Sequence, residues 1–193
     1  MTRKKKPRPF DYDLAGFWLD EGLDPENRII RLCAGIDDDT AHRFVALLHL
    51  LEQHNHDDIT IWLDTGGGAE NAGIVIIDAI LASPCSIDIV VLGAAWSMGA
   101  IILQAARHRS MRRNASLMIH AGSRSYEGLA ENVRQEIMFD KVQDDVCDRL
   151  LLRRMQERQP NMTLGELRDL MTTDRYIFAE EAVKMGLIDE VIS

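Results

Sequence analysis

The sequence predicts an α/β domain in which helices cover a sheet of mainly parallel strands. The first observation is that short apolar runs typical of strands alternate with longer segments of helical periodicity. The second is that several strand-like runs end in small or glycine-rich turns. The third is the length of 193 residues with 46% hydrophobic residues, which suits one domain with a sizeable core. Parallel strands need long crossover connections, so this alternation favours a layered α/β architecture.

The first elements are an arm, a strand and a helix. Residues 1–27 carry five basic residues in "MTRKKKPRPF" and no sustained period, which predicts a basic arm. "RIIRLCAG", from Arg28, is apolar and predicts a strand. "DDDT" then offers residues that cap the amino-terminus of a helix. The following "AHRFVALLHLLEQ" places apolar residues at helical spacing: Phe44, Leu47, Leu48 and Leu51.

The middle of the chain repeats this alternation. "DITIWLD" predicts a strand that stops at "TGGG", where glycine permits a tight turn. "AENAGIVIIDAILAS" predicts a helix that ends near Pro84, and "SIDIVVLG" predicts a third strand. The small-residue turn "GAAWSMGA" follows, and "AIILQAARHR" is expected to continue as a helix.

The last third begins with "ASLMIHAG", a short apolar strand. A long charged segment from Gly128 to about Gln159 has helical spacing of its apolar residues and predicts one long helix. A shorter helix is expected at "TLGELRDLM", before the closing "TTDRYIFAEEAVKMGLIDEVIS".

Composition excludes some classes of function. A net charge of −9 makes a nucleic-acid-binding domain a poor candidate, because phosphate contacts need a basic surface. No apolar run approaches the roughly 18 to 20 residues that span a membrane, so no membrane partner is expected. Three widely spaced cysteines favour free thiols in a reducing compartment, and we expect a cytoplasmic protein.

Two residues qualify as a nucleophile and its base. Ser97 lies where a strand gives way to a helix, between Gly93 and Gly99, and such a turn can expose a hydroxyl beside backbone N–H groups. Serine at such a position is more commonly a helix cap. His120 ends the strand "SLMIH", and an imidazole can take a proton from serine and return it.

Asp174, in "TTDRY", could orient the histidine, but Asp169 and Asp189 compete for that role. "TGGG" lacks the lysine and Ser/Thr of a phosphate-binding loop, and "HNH" has no further ligands to complete a metal site. From the residues alone, a serine hydrolase is one of several interpretations.

Five segments, in order and at nearly the expected spacing, resemble the proteolytic subunit family of Clp proteases (ClpP). They are "RIIRLCAGIDDDTA", "LDTGGGAENAG", "GAAWSMGA", "LMIHAG" and "AEEAVKMGLIDEVI". The resemblance spans roughly residues 27 to 193. It implies a ClpP/crotonase-type fold for residues 28–193, with a protruding helical handle at about 123–159.

The resemblance also implies the chemistry. The family's nucleophile falls on Ser97, its base on His120 and its orienting acid on Asp174. The oxyanion would be bound by the backbone N–H groups of Gly68 and Met98, with neither a metal nor an organic cofactor. The family pattern further implies polypeptide substrates, assembly into heptameric or tetradecameric rings, and docking of an AAA+ unfoldase.

The sequence departs from the family pattern near the site. Trp96 replaces a small residue, Arg124 and Ser125 replace a glycine pair, and Thr173 replaces an arginine that helps to bridge the two rings. These departures keep open a weakly active or structural ring partner. A specialised phage-type maturation protease is a related alternative, and an acyl-CoA enzyme of the crotonase type is another because it shares the fold.

Overall fold

The computed structural model describes residues 22–193. Most of the predicted basic arm, residues 1–21, lies outside the described residues. The end of that arm belongs to the sheet, because Leu23–Asp24 forms a short strand, β1. Its partner is the strand Ile29–Leu32, β2, with which it pairs antiparallel, Leu23 opposite Ile30. The last residues of the predicted arm therefore pair with the first strand of the predicted domain.

Eight strands form one mixed sheet among residues 22–193, in the order β1-β2-β3-β4-β5-β8, with β6 joined to β4 and β7 joined to β6. The pairs along β2, β3, β4, β5 and β8 are parallel, as is β4 with β6. Only β1 with β2 and β6 with β7 are antiparallel within this range. The remaining strands are β3 Ile59–Thr65, β4 Ile87–Trp96, β5 His108–Arg112, β6 Ser116–Ile119, β7 Arg175–Phe178 and β8 Glu190–Ile192.

Six helices accompany the sheet in the described part of the chain. They are α1 Asp38–His54, α2 Glu70–Ala82, α3 Met98–Leu103, α4 Ala130–Met155, α5 Leu164–Leu170 and α6 Ala179–Met185. Asp37 caps α1 by accepting the Thr40 N–H at 2.8 Å, as "DDDT" predicts. None of these helices is both long and apolar enough to cross a membrane.

The expected helix "AIILQAARHR" is wrong in its second half. Helix α3 ends at Leu103, and His108–Arg112 is strand β5, paired in parallel with β4. In "HRSMR" the buried position 109 is occupied by a charged arginine, so the alternation of apolar and polar residues that identifies a strand is missing. The Arg109 side chain is 1% exposed and is neutralised by Asp189 and Glu157, a pairing that only the tertiary structure supplies.

The core lies between the sheet and its helices. Ile59, Ile61 and Leu63 alternate along β3 and are fully buried. Of the predicted α1 stripe, Phe44, Leu48 and Leu51 are buried and Leu47 packs at the margin of the core. These side chains are buried because the apolar face of the helix and one face of the strand both point into the core.

The long helix α4 is only partly packed onto this core. Cys147, Leu151 and Met155, in its second half, are buried, whereas its first half is almost entirely exposed. The predicted long helix is thus present, and its amino-terminal turns extend away from the rest of the domain.

Candidate active site

Ser97 occupies a sharp turn between β4 and α3. Its φ of +51° makes it one of two non-glycine residues with positive φ among residues 22–193. Such a backbone costs on the order of 1–3 kcal/mol and persists only where neighbours hold it. The Ser97 N–H donates to the Met118 carbonyl at 2.8 Å, and the Ser97 carbonyl accepts the Ala100 N–H at 2.9 Å. The side chain does not cap α3, so its hydroxyl is available to another partner.

The structure brings Ser97, His120 and Asp174 into one hydrogen-bonded chain. Ser97 Oγ lies 2.8 Å from His120 Nε2, and His120 Nδ1 lies 3.0 Å from Asp174 Oδ1. A carboxylate can only accept, so Nδ1 carries the proton and Nε2 accepts the serine O–H. This is the tautomer that a general base for Ser97 needs.

Strand pairing explains why the histidine and the aspartate meet. His120 follows β6 directly and Asp174 precedes β7 directly. The two strands are antiparallel, with Ile119 opposite Arg175. Antiparallel pairing therefore places the end of one strand beside the start of the other, with both side chains at the same edge.

The two competing aspartates are placed elsewhere. Asp189 binds Arg109, accepting from its backbone N–H at 2.8 Å and from its guanidinium. Burial opposes ionisation of Asp189, but these hydrogen bonds lower its pKa overall. Asp169 lies on α5 beside a different cavity. Of the three candidates, Asp174 is the one in contact with His120.

The Asp174 side chain is more exposed to solvent than the His120 side chain. The His120 side chain is 25% exposed, and that of Asp174 is 58% exposed. Water therefore competes for the carboxylate, and the orientation it imposes on the imidazole is weaker than that of a buried acid.

The "TGGG" loop presses against the Ser97 turn. A Cβ on Gly67 would lie 2.7 Å from the Trp96 carbonyl oxygen and 2.8 Å from Ser97 Cβ, so only glycine permits this approach. Gly68 has φ +151°, and its Cβ would lie 2.1 Å from the Ile36 carbonyl oxygen. Two hydrogen bonds hold the loop there, from Ile36 N–H to Gly67 and from Ala69 N–H to Ile36.

This loop supplies one candidate oxyanion donor, and the Ser97 turn supplies the other. Within residues 22–193, the N–H groups of Gly68 and Met98 have no protein acceptor outside regular helix or strand pairing. Both residues line the cavity that contains Ser97 and His120. Unpaired N–H groups facing a nucleophile are the donors that a developing oxyanion requires.

The cavity next to Ser97 has a volume of about 880 Å³. One part of its wall is apolar and includes Ile101 and Ile119. Another part, the charged wall, comes from α4, α5 and Arg124. A cleft of this size with convergent polar groups can accommodate several residues of a peptide.

Cys147 lies in the charged wall but is not poised to react. Its thiol donates to Glu70 Oε1 with an Sγ–O distance of 3.7 Å. Desolvation, followed by the charge of Glu70, raises the pKa of this thiol to about 12. A neutral thiol is a poor nucleophile, so Cys147 does not compete with Ser97 as the candidate nucleophile.

Trp96 does not obstruct the cavity. Its Nε1–H donates to Ser116 Oγ at 3.0 Å, and its ring meets Tyr176 edge-on, with centroids 5.4 Å apart. Ser116 is on β6 and Tyr176 on β7, so the indole braces the two strands that position His120 and Asp174.

Sequence reasoning named these site residues but missed the acidic wall. Asp144, Asp145 and Asp148 fall on neighbouring positions of one helix, a spacing that places them on one side. Their partners are Arg124 and Arg168, which come from outside α4. Among residues 22–193, no group of three or more His, Cys, Asp or Glu residues is arranged to hold a metal ion.

A comparison with protein families agrees with this fold. The model of the family described as Clp protease matches residues 24–193. The match begins inside β1 and includes every later strand and helix of the domain. It confirms the resemblance that the five segments predict, and the α/β sheet with its helices is consistent with the ClpP-type fold. The chain therefore belongs to the Clp protease family.

Proposed function

We propose that this protein is a serine endopeptidase that cleaves unfolded polypeptides or peptides. Ser97 is the nucleophile, His120 the general base and acid, and Asp174 the group that orients His120. The observation that carries the proposal is the unbroken hydrogen-bonded chain from Ser97 Oγ through His120 to Asp174. Membership of a peptidase family supports the same class of reaction.

In the acylation half, Ser97 Oγ attacks the peptide carbonyl while His120 Nε2 takes the hydroxyl proton. The carbonyl oxygen becomes an oxyanion, which the N–H groups of Gly68 and Met98 stabilise. The imidazolium then returns its proton to the leaving amine, the C–N bond breaks, and an acyl-serine remains.

In the deacylation half, water takes the place of the amine. His120 removes a proton from the water as it attacks the acyl carbon, and the oxyanion again faces Gly68 and Met98. Collapse of this intermediate releases the carboxylic acid and returns the proton to Ser97. The proposed cycle uses neither a metal nor an organic cofactor.

Exposed apolar residues on α4 support self-association. Phe139, Val142 and Val146 are each more than half exposed and recur at helical spacing. Such a stripe marks an interface on a protein surface. We propose that it packs subunits into heptameric or tetradecameric rings that enclose Ser97. A cytoplasmic location and an AAA+ unfoldase partner belong to the same proposal. A native mass near seven or fourteen subunits supports the chamber, and a stable monomer contradicts it.

A fluorophosphonate probe tests the nucleophile. We expect it to label the wild-type protein at Ser97, and Ser97→Ala to abolish labelling and lower kcat for peptide cleavage by on the order of 10⁶. His120→Ala should be nearly as damaging. Ser125→Ala is the matched control, because Ser125 is an exposed serine outside the cavity lining. An assembled wild-type protein that takes no label would overturn the proposal and favour a structural ring partner.

A further inference from the structure

Arg124 connects the two walls of the cleft that contains Ser97. Glu70 begins α2, two residues after Gly68, and Arg124 comes four residues after His120. The guanidinium pairs with Glu70 and, through both carboxylate oxygens, with Asp144 at 2.8 and 3.0 Å. Its Nε lies 3.1 Å from Asp140. Arg124 therefore joins the wall that follows Gly68 to the wall that follows His120.

Neighbouring groups stabilise this contact between Arg124 and Glu70, which is here called the clasp. The side chains of Arg124 and Glu70 are 27% and 23% exposed, so water screens their charges only in part. The hydrogen bonds with Asp144, followed by the Asp144 and Glu70 charges, raise the pKa of Arg124 although burial opposes this. The second oxygen of Glu70 accepts the Cys147 thiol, which holds the carboxylate against α4.

The clasp lies where a polypeptide would run. A peptide with its carbonyl carbon at Ser97 must direct its oxygen to Gly68 and its leaving nitrogen towards His120. The chain then continues between the walls that follow these two residues, and both partners of the clasp line that same cavity. Arg124 is already engaged by three carboxylates, so it is not a free site for a substrate carboxylate.

We propose that Arg124 is a specificity-determining residue that selects substrates by length. This inference rests on the proposed peptidase function. With the clasp closed, small acyl groups and short peptides reach Ser97, whereas an extended polypeptide has to break the Arg124–Glu70 pair to lie through the cleft. The glycine pair that the family has at positions 124 and 125 has no side chain that could form this contact.

Two substrates, tested on the full-length protein, measure the effect of the clasp on selection by length. One is a small fluorogenic acyl ester. The other is an internally quenched neutral peptide of about ten residues, which at roughly 3.3 Å per residue is about 33 Å long when extended. In Arg124→Gly we expect kcat/KM for the long peptide to rise by about tenfold or more. The reason is that the peptide no longer has to break one charge-assisted hydrogen bond when it enters the cleft. Ester hydrolysis is the reference rate, and the gain for the long peptide is expressed as the ratio of the two kcat/KM values, the long-to-short ratio.

A second variant and a control distinguish loss of the clasp from a general loosening of the protein structure. Glu70→Gln keeps the shape of the side chain and should also favour the long peptide. Arg113→Ala removes an exposed arginine that pairs with Glu180 outside the cavity, and should alter neither substrate. Raising salt from about 0.1 to 1 M shortens the Debye length from about 10 to 3 Å. It should raise the long-to-short ratio in the wild type but not in Arg124→Gly.

Fluorophosphonate labelling distinguishes the two ways in which this can fail. If the wild type and Arg124→Gly both label, and the long-to-short ratio stays the same or falls, the clasp inference is overturned while the peptidase proposal stands. If neither protein labels, the peptidase proposal itself fails, and the clasp inference fails with it.

Discussion

Replacing Gly68 by alanine tests whether its N–H binds the oxyanion. The added Cβ would lie 2.1 Å from the Ile36 carbonyl oxygen, whereas ordinary contacts begin at 3.4 Å. The Gly68 backbone must therefore retreat by about 1.3 Å, because the Ile36 oxygen is itself held by the Ala69 N–H at 2.7 Å. The φ of +151° adds strain, since side chains rarely adopt it.

The size of the effect follows from this displacement. An oxyanion hydrogen bond works at about 2.7–3.1 Å, so a shift of about an ångström removes it. Loss of one donor costs about 2.7–4 kcal/mol in the transition state, which lowers kcat by about 10²–10³. The strain and the weakened Ile36–Ala69 bond should together cost about 2–4 kcal/mol of stability, and the protein stays folded at 25 °C.

The assay is kcat for a short peptide at 25 °C, with thermal unfolding followed by circular dichroism on the same samples. Gly66→Ala is the control: Gly66 is in the same loop, its φ is not positive, and its Cβ would meet nothing within 4 Å. It should keep kcat within about threefold, well short of the loss of one donor. A folded Gly68→Ala protein with kcat equally close to the wild type would refute the assignment of this N–H.

Two further substitutions test the neighbouring carboxylates. Asp174→Asn should lower kcat by about 10²-fold, less than the roughly 10⁴-fold known for a buried acid, because water already competes for this carboxylate. An unchanged kcat would mean that another group orients His120. Asp189→Asn should cost about 3 kcal/mol at pH 7 by leaving Arg109 without its main partner. Because the folded-state pKa of Asp189 is lowered, its contribution is present above the unfolded value of 3.8 and lost as pH falls through the folded value. Urea unfolding at pH 7 and at a series of pH values below 3.8 should show the stabilities of the wild type and Asp189→Asn converging in acid, and a gap that stays constant with pH would contradict this.

Local patterns predicted most of the fold because burial repeats with the period of each element. The alternation of Ile59, Ile61 and Leu63 identified a strand, and the spacing of Phe44 and Leu48 identified a helix. Strand β5 was missed because the partner of Arg109 is Asp189, 80 residues away. A charged residue buried by a distant partner has no local signature.

In the candidate site, too, some features could be predicted from local sequence and others could not. The strand-to-helix turn at Ser97 and the strand end at His120 are local features, and both were predicted. The choice of Asp174 over Asp189 depended on the family resemblance, since spacing could not separate them. In the structure it follows from the pairing of β6 with β7 and from the binding of Asp189 to Arg109.

The sequence by itself determined the α/β class, the family and the residue types near the proposed nucleophile, because these depend on short-range periodicity and ordered motifs. Only the tertiary structure decided which groups touch. It placed Trp96 against Tyr176 rather than in the cleft, and it joined Arg124 to Glu70 across it. Such contacts depend on side chains that are far apart in the chain and meet only when strands and helices are packed.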